Sequence, residues 1–236
     1  MPYPFAHPAA VLPLARPLGR FAVPSALAIG SIAPDLWYFV PFVQRPESHS
    51  IAGLAWFCLP AGLILYTLFH LLLKQPLIAL VSPRLGCYTP AAVPDAPLRA
   101  VVLSLLAGAL THLAWDGLTH ANDEAVHGHN WPQHASTLAG TLVLAWWAVR
   151  KLRQAPPVAG ALSPRVRCLT ILALLAAAAA AVAWSTDAPA LEPAALRYFF
   201  RTGGLAALQA FGAALLIYCL LFRRKMTRRA APGGAL

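Results

Sequence analysis

The stretch Ile51–Leu73, IAGLAWFCLPAGLILYTLFHLLL, decides the fold. A membrane-spanning helix needs about 20 mostly apolar residues, and this run offers them without one Lys, Arg, Asp or Glu. Ala100–Trp115, Ser136–Val149, Cys168–Trp184 and Gly204–Phe222 also read as spans, some of them short. The whole chain of 236 residues is 59% hydrophobic and 11% charged, against roughly 25% charged in soluble domains. That shortage excludes a soluble enzyme and a disordered chain. It also removes nucleic acid as the explanation of the +10 net charge, because Lys and Arg gather at the cytoplasmic ends of membrane proteins. The predicted fold is an all-α, polytopic membrane helical bundle.

The first 43 residues differ from the spans. Pro8, Pro13, Pro17, Pro24, Pro34 and Pro41 cut them into pieces too short to cross a bilayer. His7–Ala15 and Val23–Ala33 read as two half-helices of a hairpin turned at Arg16–Arg20, followed by about five transmembrane helices. Arg16, Arg20 and Ser31-x-Ala33 imitate a signal peptide and its cleavage site. Tyr3–Leu14 is too apolar for the charged start of one, so the segment is expected to stay. Gln75–Pro97, with its prolines, and QAPPVAGALSP at Gln154–Pro164 read as linkers. The organisation that follows is a membrane-embedded domain over 1–153, a linker over 154–164, a transmembrane hairpin over 165–222 and a basic tail over 223–236. Cys58, Cys87, Cys168 and Cys219 stand singly, with no C-x-x-C spacing that would suggest a thiolate metal site.

Alternating spans place Arg16 and Arg20, then Lys74, Arg84 and Arg99, then Arg150 to Arg167, and finally Arg223 to Arg229 on one side. The positive-inside bias makes that side cytoplasmic. The same alternation brings His7, Asp35, His49, His112, Asp116 and His134 to the opposite end. Ionisable groups in membrane segments are expensive and usually functional. HLAWDGLTH, His112 to His120, is the sharpest local signal. His112 and Asp116 at i and i+4 share a helical face and can hold one ion, as the two histidines of H-E-x-x-H do. Imidazole with carboxylate suits zinc, and also manganese or iron. Gly117 is expected to loosen the helix and leave His120 at its end.

Other polar residues have plainer readings. His70 beside Lys74 reads as packing, His127 and His129 as solvated loop, and Asp95 and Asp187 as turn residues next to prolines. Ser136 and Thr137 read as N-caps of the helix they open. Trp37, Tyr38, Trp56, Trp131 and Trp184 read as an interfacial aromatic belt.

MPYPFAHPAAVLPL, SIAPDLWYF, HSIAGLAWFCLPAGL, HLAWDGLTH and QHASTLAG, in that order over roughly residues 1–153, resemble an uncharacterised bacterial integral-membrane family, domain of unknown function 4184. The segment 165–222 is generic. More distantly, the chain is similar to membrane-bound metal-dependent hydrolases, and its order of His, Asp, His, H-x-x-x-D, His, His to zinc-dependent phospholipase C. The last resemblance implies one ion on His49, His112 and Asp116, a second on His7 with Asp116 bridging, and a third on His120 and His134. Asp35 would orient or deprotonate the attacking water. The soluble enzymes close their pattern with H-x-x-x-E where Leu138 stands here, and they use a processed N-terminal amine that Met1 does not supply. One or two divalent ions, zinc first, are therefore the leading expectation, with three as the alternative.

Two functions follow. One is a hydrolase of a phosphoester, lipid-linked at the outer interface of a bacterial inner membrane, with Arg45 (or Arg197 and Arg201) neutralising the phosphate. The other is a non-catalytic multi-pass protein whose His/Asp cluster holds a structural metal or forms a buried polar network. Membrane lipid is the expected partner, and no protein partner is inferable.

Overall fold

The computed structural model describes residues 6–39, 45–82, 96–120, 131–156, 162–185 and 193–230. The architecture is all-α, with no strand among the described residues. In chain order the helices are α1 (Pro8–Val11), α2 (Ala15–Leu18), α3 (Pro24–Gly30), α4 (Arg45–Ser48), α5 (Ile51–Gly53), α6 (Leu59–Leu68), α7 (Lys74–Val81), α8 (Leu98–His120), α9 (Trp131–Gln154), α10 (Pro164–Ser185) and α11 (Pro193–Ala230). Wide π turns at Leu54–Cys58 and Phe69–Leu73 interrupt the first span, Ile51–Val81, without ending it.

Four helical runs are long and apolar enough to cross a membrane, Ile51–Val81, Leu98–Thr119, Pro164–Ser185 and Thr202–Arg224. With those four runs the chain is a membrane protein. Several sequence expectations are corrected in detail. Lys74–Val81 is helix rather than the start of a linker, with Pro76 accommodated just after the wide turn at Phe69–Leu73. Ser136–Val149 lies inside α9, which has the length of a span but is not among the four apolar runs. α9 opens at Trp131, with Pro132 suited to a first turn, so Ser136 and Thr137 lie within the helix and do not cap it. α8 runs through Gly117 to His120.

The described chain divides into two compact units. The first joins Met1–Phe69 with Val93–Gln154. Its N-terminal hairpin forms much as expected, although the reversal comes at Gly19–Val23. Gly19 has φ of +50°, a conformation only glycine adopts at no steric cost, and Ala22 and Val23 are extended. The break exposes backbone groups that Ser104 of α8 satisfies, accepting from Val23 N–H at 3.0 Å and donating to the Phe21 carbonyl at 2.9 Å. α3 then lies along α8. Around that contact Val23, Ala26, Ile29, Tyr66, Ala100, Val101 and Leu105 form a buried core. A second core of Ala33, Leu54, Phe57, Cys58 and Ala109 lies nearer the C-terminal end of α8.

This unit is polar along its length. Arg20 and Arg99 both stand over the Phe21 ring, at 5.0 and 5.9 Å, beside the start of α8. His112 comes thirteen residues after Arg99, about 20 Å of helix. The basic end and the histidine end of α8 are thus opposite, as the charge distribution predicts.

The second unit joins His70–Ala92 with Ala155–Leu236. α10 and α11 pair with each other, and Tyr218 donates a hydrogen bond to the Pro76 carbonyl at 3.0 Å. Only 6% of the apolar window of either span is buried. Leucine and isoleucine side chains turned outward in this number need lipid rather than water around them.

Candidate metal centre

Three separate pieces of the first unit bring one acid or imidazole each to the C-terminal half of α8, which supplies two more. His7 occupies the position before Pro8 at the start of α1, and Ala10 N–H bonds its carbonyl at 3.0 Å. Asp35 follows Pro34 in a tight 3₁₀ run, Ala33–Phe39. His49 sits in the turn between α4 and α5. Ser50 fixes that turn by accepting from Gly53 N–H and donating to the Glu47 carbonyl, both at 2.9 Å. His112 and Asp116 share a face of α8. His7, Asp35, His112 and Asp116 are 1%, 4%, 0% and 5% exposed.

The donor atoms converge. His49 Nε2 lies 3.3 Å from His112 Nε2 and 3.6 Å from Asp116 Oδ2, and His112 Nε2 is 3.8 Å from Asp116 Oδ2. Asp35 Oδ1 stands 3.4 Å from His49 Nε2 and 3.8 Å from His112 Nε2. His7 stacks on His112 with ring centroids 3.7 Å apart, and its Nε2 reaches within 3.7 Å of Asp116 Oδ1. Two trios can each offer an ion three donors: His49, His112 and Asp116, and His7, Asp35 and His112. Charge-assisted hydrogen bonds between such groups run to about 2.7–2.9 Å, and these separations are longer. Donors bound at about 2.0–2.2 Å to one tetrahedral ion stand roughly 3.3–3.6 Å apart, which is close to what is found.

Hydrogen bonding supports the same reading. Both ring nitrogens of His7 and both carboxylate oxygens of Asp35 are buried without a hydrogen bond, a costly state unless another partner is supplied. His112 Nδ1 donates to the Ser31 carbonyl at 2.8 Å, so its proton is on Nδ1 and the lone pair on Nε2 faces the cluster. Ser48 Oγ and His49 Nδ1 are bonded at 2.9 Å, which turns His49 Nε2 inward. Ser48 is itself held, its carbonyl accepting from the Cys58 thiol at 3.4 Å. Burial, reinforced by neighbouring His112, lowers the pKa of His7 to about 3, so this imidazole is neutral at physiological pH and its lone pair is available. The donor set could therefore hold a metal ion.

Of the residues expected from sequence, His7, Asp35, His49, His112 and Asp116 meet. His134 does not. It is exposed and belongs to neither trio. α9 turns Gly140 toward Ala6 and Trp115, and a residue six positions earlier points roughly 120° away from that face. Asp35, expected to act on water, stands among the candidate ligands themselves. His120 ends α8, but its side chain lies outside the description, as do those of Arg45, Arg197 and Arg201. His127, His129, Asp95 and Asp187 lie outside the described residues. His70 is buried in the second unit. The Ser31 carbonyl and Ser48 hydroxyl were not foreseen; the only signal was Ser48 beside His49. Ser48→Ala is expected to lower metal affinity about 10- to 100-fold, the usual cost of removing an outer-shell partner, measured by competition with a chromogenic chelator.

The family described as Domain of unknown function (DUF4184) matches residues 1–132, a stretch that contains all five converging residues. The chain belongs to this family. Comparison with curated proteins and with solved structures finds no match. The matched region carries the hairpin, the span Ile51–Val81 and α8, whereas α10 and α11 lie beyond it.

Proposed function

We propose that this family member is a membrane-bound, metal-dependent hydrolase acting on a phosphoester, with a lipid-linked phosphate as the substrate class. The observation that carries this reading is the convergence of His49, His112, Asp116 and Asp35 at ligand-to-ligand spacing, with His7 against them and its nitrogens unbonded. A divalent ion held there would supply Lewis acidity and a water made acidic near pH 7. His49, His112 and Asp116 would hold it, and Asp116, facing His7 with its other oxygen, could serve a second ion. Asp35 would orient the water and take its proton, its free oxygens having no competing hydrogen bond. Zinc is the ion expected first, from the imidazole and carboxylate donors. The basic ends lie on the cytoplasmic side of a bacterial inner membrane, and the centre on the other.

A second reading, a structural ion or polar network, draws on the depth of burial of His7 and His112, because structural ions are saturated by protein ligands. The test is metal analysis of the purified full chain together with hydrolysis of phospholipid and bis-p-nitrophenyl phosphate. Bound metal with chelator-sensitive hydrolysis, lost in Asp35→Asn while metal is kept, is expected. Bound metal without hydrolysis of either substrate would sink the catalytic reading and leave the structural one.

A further inference from the structure

The end of α9 farthest from the histidines carries a groove of about 320 Å³ lined by Trp146, Val149, Arg150, Arg153 and Gln154. Their spacing is that of one helical stripe. It begins six residues beyond Gly140, which packs on Ala6, and runs to the fourteenth, about 9–21 Å of helix, with Trp146 about 120° round the helix from that packed face. Trp146 is 60% exposed, and Arg150 stands over its ring at 5.5 Å. No ion pair joins Arg150 or Arg153 to a carboxylate among the described residues.

We infer that this groove binds the headgroup of an anionic glycerophospholipid. A guanidinium lying on an indole keeps its N–H edge for a second partner, and two such forks one turn apart suit the oxygens of a phosphodiester. Trp146 and Val149 provide the apolar floor for the glycerol and the first methylenes, the position indole takes at a membrane interface. General basicity would instead be shared with the tail residues Arg223 and Arg224. The inference is independent of the metal centre, since every lining residue is on α9 and none is a candidate ligand.

The experiment counts lipids retained by the full chain in native mass spectrometry, after exchange into nanodiscs of phosphatidylcholine with or without phosphatidylglycerol. Arg150→Gln with Arg153→Gln is expected to reduce retained phosphatidylglycerol about tenfold or more, the scale set by two basic residues at an anionic surface. Arg223→Gln with Arg224→Gln, the same loss of charge, should leave it near wild type, and Trp146→Leu should weaken it several-fold. Unchanged helicity by circular dichroism checks the fold of each variant. Equal losses in the groove and tail variants would overturn the inference, as would equal retention of phosphatidylcholine. Displacement of the lipid by millimolar inorganic phosphate would reassign the groove to free phosphate and overturn it too.

Discussion

His112→Ala is expected to abolish stoichiometric metal binding, with affinity falling by more than about a hundredfold, beyond the range of an outer-shell loss. His112 belongs to both trios, so its removal leaves each with two donors. It is also the most constrained ligand. It is fully buried, its Nδ1 is anchored to the Ser31 carbonyl, and the rings of His7 and His49 lie against it at 3.7 and 5.2 Å. His134→Ala, on the exposed side of α9, is expected to keep wild-type metal content. Asp116→Asn, which removes a donor from one trio only and preserves volume, should weaken binding less than His112→Ala, and it separates ligand loss from a cavity. Elemental analysis of each purified variant against its helicity decides the matter. A His112→Ala protein that retains wild-type metal would show that the cluster is a polar network and that the ion lies elsewhere.

Much of the centre was legible because helical geometry is local. His112 and Asp116 are four residues apart on a helix, and that alone puts them on one face. The proline-cut hairpin returns His7 and Asp35 to one level because neither leg is long enough to cross a bilayer. His134 misled for the complementary reason. Depth along a span is readable from sequence, but the face a helix presents is set by its neighbour, here Ala6 against Gly140. The Ser31 carbonyl was not readable at all, since every residue carries one and only the packing of α3 on α8 selects it. The helices run past the apolar ends Leu73 and Trp115 to Val81 and His120, because composition fades before helical hydrogen bonding stops.

That packing of α3 on α8 gives the largest expected effect on stability. A methyl group built on Gly108 would meet the backbone of Leu27 and Ser31, and one on Gly30 would meet the backbone of Leu105. In a membrane, where apolar surface gains little from pairing with other apolar surface, small residues that allow close backbone approach are a main source of helix association. Gly108→Ala must therefore push two backbones apart rather than rotate a side chain. Overpacking of this kind costs about 1–3 kcal/mol, and a larger Gly108→Val more. Glycine to alanine within a helix would otherwise gain about 1 kcal/mol, so the sign itself is informative. Gly117, in the same helix with nothing within 4 Å of the added carbon, supplies the control: Gly117→Ala should be neutral or stabilising. Thermal unfolding in detergent, followed by helicity, reads both. Separation of α3 from α8 also moves the Ser31 carbonyl off His112 Nδ1, so Gly108→Ala should lose metal affinity alongside stability. A Gly108→Ala protein as stable as Gly117→Ala, with unchanged metal affinity, would mean that the two helices are not in backbone contact and that the histidine is not oriented by this packing.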